Sequence, residues 1–198
     1  MISILSLMLG VSGFLLYLIY DINSFAWQAR LPRVFFLLGT VLIGAATALD
    51  LAAAWQSGAL GGLSALALLP AALCFAALVY CLFFALPFDE TYAGQENGRP
   101  VCDRGAYALC RHPGIPCFFG TYLFLGLAVL PSPLLAHGML FSLLNLGYAL
   151  FQDRITFPKT FCNYGTYQKK VPFLFPNRNS IRLARQTWPR TVSKEDET

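Results

Sequence analysis

No lysine or arginine precedes Arg30, none lies between Arg33 and Arg99, and none between Arg111 and Arg154. Charge of either sign is scarce: 12% of the 198 residues are charged, against about 25% in soluble domains. A soluble fold of that composition would have too little polar surface. The Cys and His spacing contains no Cys-x-x-Cys pair and matches no zinc pattern, which argues against a metal site. Cys74 and Cys81 are seven apart and are expected to share a helix face. All six cysteines read as reduced thiols rather than a disulfide framework. The first apolar run has no basic segment before it and no small-residue cleavage site after Tyr20, so it reads as a retained helix rather than a leader.

What fills the uncharged stretches is apolar: 57% of the chain is hydrophobic. Runs of roughly 20 such residues span a bilayer. Five are predicted, over 2–20, 34–54, 63–86, 113–130 and 134–151, with Pro70 expected to kink the third. The expectation is an all-α integral membrane protein forming one membrane domain over 1–198. Within it, 1–88 are generic spans, 89–176 carry the motifs, and 177–198 form a basic tail with short helices.

With five spans, all 14 Lys and Arg fall on one side: two after the first span, three after the third and nine after the fifth. The positive-inside rule then puts the N-terminus outside and the C-terminus in the cytoplasm. Four or six spans would scatter the charges. The membrane is read as a bacterial inner membrane or the endoplasmic reticulum. Nucleic acid is not expected as a partner, because the cations follow a membrane face.

Chemistry is concentrated where the third span ends. Arg111, His112 and Pro113 stand at the entrance of the fourth span. Pro113 suits the start of a helix, where its missing N–H costs nothing. A helix N-terminus attracts carboxylates and phosphates, and Gly114 permits close backbone approach. His112 adds a group that titrates near neutral pH, Arg111 a fixed cation. The set suits an amphiphilic ligand bearing a carboxylate; ordinary topology signalling explains the same residues. Tyr107 reads equally as an interfacial aromatic. Gln152, Asp153 and Arg154 form a second cluster, with solvated charges at a helix exit as the alternative. The stretch 163–176 alternates aromatic and basic residues, which suits a segment on anionic headgroups or against a substrate. His137 reads as structural or interfacial, and Asp50 as an intramembrane functional carboxylate or, given its place near the outer boundary, in preference a solvated one.

Three features occur in order: "GAYALCRHP" opening a span, a following helical hairpin, and the tail "YGTYQKKVPFLFP". In this the chain resembles the isoprenylcysteine carboxyl methyltransferase family and the related phospholipid methyltransferases, over roughly residues 89–176. The resemblance implies a multi-span transferase that binds S-adenosylmethionine on the cytoplasmic side and methylates a lipid-like or prenylated substrate. It implies cofactor contacts at Arg99, Pro100, Val101, Cys102, Tyr107, Arg111, His112, Pro113, Gly114, Gln152 and Asp153, with Asp153 and Arg154 as catalytic groups. The chain departs from the family pattern at Ile115, Pro116 and Cys117, and at Gln152, where an acid or an arginine is usual. The family's glutamates after the last span are missing, and Phe161-Cys162 stand for a Phe-Gly pair. An inactive membrane scaffold of the same fold is the alternative. A sterol-type reductase and a small transporter rank below it.

Overall fold

A computed structural model describes residues 2–30, 34–59, 62–85 and 100–188. Among the described residues the chain is helical and has no strands. α1 runs over Ile2–Ile22, α2 over Phe35–Gln56 and α3 over Leu68–Val79. A four-residue helix, α4 (Ala106–Leu109), precedes α5 (Gly114–Ala128) and α6 (Leu134–Phe151). The tail folds into three short helices: α7 (Phe157–Thr160), α8 (Tyr164–Lys170) and α9 (Arg178–Thr187).

Four helical stretches are long and apolar enough to cross a membrane: Ser3–Trp27, Phe35–Gln56, Ala65–Phe84 and Leu134–Thr160. They are compatible with an integral membrane protein. The fourth expected span, 113–130, is present as α5, but its 15 residues rise only about 22 Å, short of a hydrocarbon core of about 30 Å. Ile4, Met8, Leu37, Val41, Leu69 and Leu73 are each more than half exposed, so the bundle turns large aliphatic side chains outward. In water that would be costly; against lipid tails it is not.

Apolar burial cannot drive helices together inside lipid, so close packing must. Accordingly α1 and α2 cross at Gly13 and Gly39. A Cβ on Gly39 would stand 2.7 Å from the Gly13 carbonyl oxygen. At the α5–α6 crossing a Cβ on Gly126 would stand 2.7 Å from the Cα of Leu135. Phe14, Ile43, Tyr122 and Phe141 fill the centre, and the Tyr122 hydroxyl meets Thr47 Oγ1 at 2.6 Å.

Pro70 does not kink the third helix. It lies in the first turn of α3, directly after a 3-10 stretch at Gly62–Ala67. The missing N–H therefore falls where the helical hydrogen-bond pattern is changing. Cys74 and Cys81 both face Cys117 of α5, as a shared face requires, although the third span widens into a π-turn at Tyr80–Phe84. The first and last long spans do the same, at Asn23–Trp27 and Gln152–Thr156. All three π-turns lie at one end of the bundle. Each described Lys and Arg belongs to a segment joined to that end.

The opposite end corrects one expectation. Asp50 is not solvated: it is 0% exposed. Its carboxylate accepts from Ser6 Oγ at 2.6 Å and meets His137 Nδ1 at 2.7 Å, which ties α1, α2 and α6 together.

Candidate functional site at the charged end

The segment before α5 is shaped by Gly105, whose φ of 56° and ψ of −125° suit a residue without Cβ. It turns the chain into α4, and the Gly105 N–H donates to Thr187 Oγ1 of α9. The tail then folds back over the entrance of α5. The N–H groups of Arg111 and His112 donate to the carbonyls of Pro172 and Phe173, at 2.9 and 3.2 Å. Asn177 caps α9 and exchanges hydrogen bonds with Ser180.

Arg111 is the hub. Its Nε donates to Asp153 Oδ1 at 2.7 Å and its Nη2 to Oδ2 at 3.0 Å, a two-pronged pair that only a planar fork makes. Nη1 donates to the carbonyls of Gln168 and Val171. Asp153, on the π-turn after α6, is buried. It also accepts from the Tyr164 hydroxyl at 2.6 Å and from Gln168 Nε2 at 3.3 Å. His112 is 8% exposed and packs between Phe157 and Phe173. Its Nε2 stands 3.5 Å from Asp153 Oδ1 and closes no hydrogen bond.

Above this network lies a cavity of about 120 Å³. Val101, Cys102, Tyr107 and Arg111 line one side; Phe157, Phe161, Tyr164 and Tyr167 line the other. The Tyr167 hydroxyl donates to the Tyr107 carbonyl at 2.6 Å, and the Tyr107 hydroxyl to the Cys81 carbonyl at 3.1 Å. The Val101 N–H donates to Asn163 Oδ1.

The expected residues separate into groups. Val101, Cys102, Tyr107 and Arg111 meet at the cavity, and His112 and Asp153 support it. Pro100 is exposed, and so is Arg154. Pro113 is buried at the start of α5, while a Cβ on Gly114 would meet Leu78 of α3, so its open side faces that helix. Gln152 is half-buried and faces Asp21 of α1. Arg99 lies outside the described residues. The sequence reading missed Phe157 as a cavity wall, and Gln168 and Asp21 altogether. Phe157, Phe161, Tyr164 and Tyr167 recur every three or four residues, and that spacing was the available signal.

Burial pushes the Cys110 thiol from 9.0 up to about 11. Burial raises the phenols of Tyr107, Tyr164 and Tyr167 too, and the Asp153 carboxylate adds to the rise at Tyr164. The fold therefore favours the protonated forms. For Cys110 that contribution to stability is complete below about pH 9 and is lost as pH rises through about 11; for the three phenols it is complete below about pH 10 and is lost only at higher pH still. A melting midpoint that is flat below pH 9 and falls above it is expected. The phenolate absorbance should appear together with unfolding, not before it.

Compared with protein-family models, curated proteins and solved structures, the chain matches none.

Proposed function

We propose that the chain transfers a methyl group from S-adenosylmethionine to the carboxylate or amine of a lipophilic acceptor, with the charged end of the bundle facing the cytoplasm. One observation carries the reading. The stretches around 101–112 and 153, far apart in sequence, are joined by the Arg111–Asp153 pair, and Arg111 lines a cavity walled by five aromatic rings. Aromatic faces attract poorly hydrated cations, and a sulfonium is one. His112 Nε2, 3.5 Å from Asp153 Oδ1 and in no well-formed hydrogen bond, is a buried polar atom next to Arg111 of the cavity wall that a ligand carboxylate would engage.

The residues fit the charged arm of the donor. A volume of about 120 Å³ is less than the roughly 300 Å³ at which small-molecule sites begin, so the nucleoside would extend beyond the cavity. Bound there, the donor would supply an electrophilic methyl group. Tyr107, Tyr164 and Tyr167 would surround its positive charge and keep water away. His112 would hold the carboxylate, with Val101 and Cys102 along the cavity edge. Arg111 is committed to Asp153 and to the tail carbonyls, so both act as positioning residues. Arg154, exposed on the π-turn, would be the group to meet an acceptor carboxylate. Fixing the reacting groups in line removes translational and rotational freedom, the main contribution a protein makes to such a transfer.

Calorimetric titration with S-adenosylmethionine tests this. Wild type binds, and His112→Ala loses most of the heat. Absence of heat in detergent and in nanodiscs alike rejects the proposal. A scaffold of the same fold is the second reading, favoured by the full engagement of Asp153 within the protein. Donor binding without transfer of label to any fraction of a lipid extract would support it.

A further inference from the structure

Asp21, in the last turn of α1, is 4% exposed. Its carboxyl faces Tyr148 at the end of α6, and Gln152 and Thr156 on the π-turn beyond. They gather around the carboxyl without closing a well-formed hydrogen bond to Oδ2. Asp21 Oδ2, the Tyr148 hydroxyl and Thr156 Oγ1 are all buried and have no hydrogen-bond partner. Buried polar atoms find partners in more than about 90% of cases, and the exceptions call for a water, an ion or a ligand. Here three exceptions gather at one carboxyl.

We infer that Asp21, Tyr148, Gln152 and Thr156 form a binding site for a monovalent cation, either an alkali-metal ion or a primary ammonium group, between α1 and the π-turn that follows α6. Charge supports this. Among the described residues no lysine, arginine or histidine forms an ion pair with Asp21, whereas Asp153 and Asp50 each have such a partner. A carboxylate without a counter-charge in an apolar bundle is costly and marks function. One carboxylate among neutral oxygens balances a single positive charge. The set contains no thiolate or imidazole to favour a transition metal.

The backbone supports it as well. Both walls depart from α-helical geometry, at Asn23–Trp27 and at Gln152–Thr156, and π-turns of this kind recur at functional sites. Asn23 pins the first wall by exchanging hydrogen bonds with Ala29, at 2.9 and 3.0 Å. The Ser24 hydroxyl donates to the Asp21 carbonyl at 2.7 Å. Asp153, on the same π-turn, is already paired with Arg111 and does not compete for the cation. The site does not depend on the methyl-transfer reading.

The test is thermal unfolding of the purified protein in detergent, at fixed pH and ionic strength, in three chloride salts: sodium, ethylammonium and the bulky N-methylglucammonium. Sodium or ethylammonium should raise the midpoint saturably over the bulky ion, by about 3 °C or more at ten times the dissociation constant. Asp21→Asn should abolish the rise. Response to sodium alone identifies a metal-ion site, response to ethylammonium alone a headgroup site; either supports the inference. Equal midpoints in all three salts would overturn it, leaving a protonated carboxyl or a trapped water. If Asp21→Asn does not fold, Tyr148→Phe and Thr156→Val carry the test. An undiminished salt response in both would equally overturn it.

Discussion

Replacing Arg111 with alanine should lower the melting midpoint by roughly 6–20 °C, from about 3–5 kcal/mol lost and about 2–4 °C per kcal/mol for a chain of this length. The cost comes less from the missing attraction than from what stays behind. Asp153 is buried, and without Arg111 its two carboxylate oxygens keep only Tyr164 and Gln168 as hydrogen-bond partners. The Gln168 and Val171 carbonyls also lose their donor. Arg111→Lys should recover little, because one ammonium cannot reach a carboxylate and two carbonyls in different directions.

The same substitution should also loosen the tail locally. Arg111 holds the end of α8 through its side chain and the following Pro172 through its N–H. Trypsin should then cut at Lys169 and Lys170, both exposed, well below the melting temperature. Arg111→Ala and Arg111→Lys proteins that melt and resist trypsin like wild type would show that the pair holds nothing together.

How much of this was legible in the chain depends on the range of the cause. Helix positions were, because a run of apolar residues is a local property. α2 and α6 begin and end within two residues of expectation. The length of α5 was not, since the sequence stays apolar through Val129 and Leu130 although the helix stops at Ala128. That Arg111 and Asp153 stand at the same end of the bundle was legible in the order of the spans, since both follow odd-numbered ones. What topology could not supply was partnership. Asp153 was read as a group free to grip a ligand, and it is saturated by Arg111, Tyr164 and Gln168.

The π-turns were invisible for a related reason. "DINSFAW" and "FQDRITF" differ in no obvious way from regular helix. Their extra backbone turn is set by what packs against them, with Asn23 reaching Ala29 in the first and the Tyr164 hydroxyl reaching Asp153 in the second. Tertiary contacts therefore redirect polar side chains that helical periodicity would assign elsewhere. Asp21 and Gln152 come to face one another in this way, across 131 positions of chain.

Asp50 gives the second large effect. Asp50→Ala should destabilise the protein by about 1–3 kcal/mol, because the Ser6 hydroxyl and His137 Nδ1 lose their shortest partner and keep only each other, at 3.4 Å, and for Ser6 the Ser3 carbonyl at 3.0 Å. Ser6 is 0% exposed, so water does not replace the lost bond. Asp50→Asn should retain most of the stability, since an amide offers both a donor and an acceptor at the same positions. The network joins α1, α2 and α6 at the end remote from the charged residues. Loss should therefore appear as cooperative melting at lower temperature, with Lys169 and Lys170 no more sensitive to trypsin than in wild type. The contrast with Arg111→Ala separates a lock on the bundle from a clasp on the tail. An Asp50→Ala protein that melts with wild type would mean that glycine contacts such as Gly13–Gly39 hold these helices together and that the buried carboxylate adds nothing.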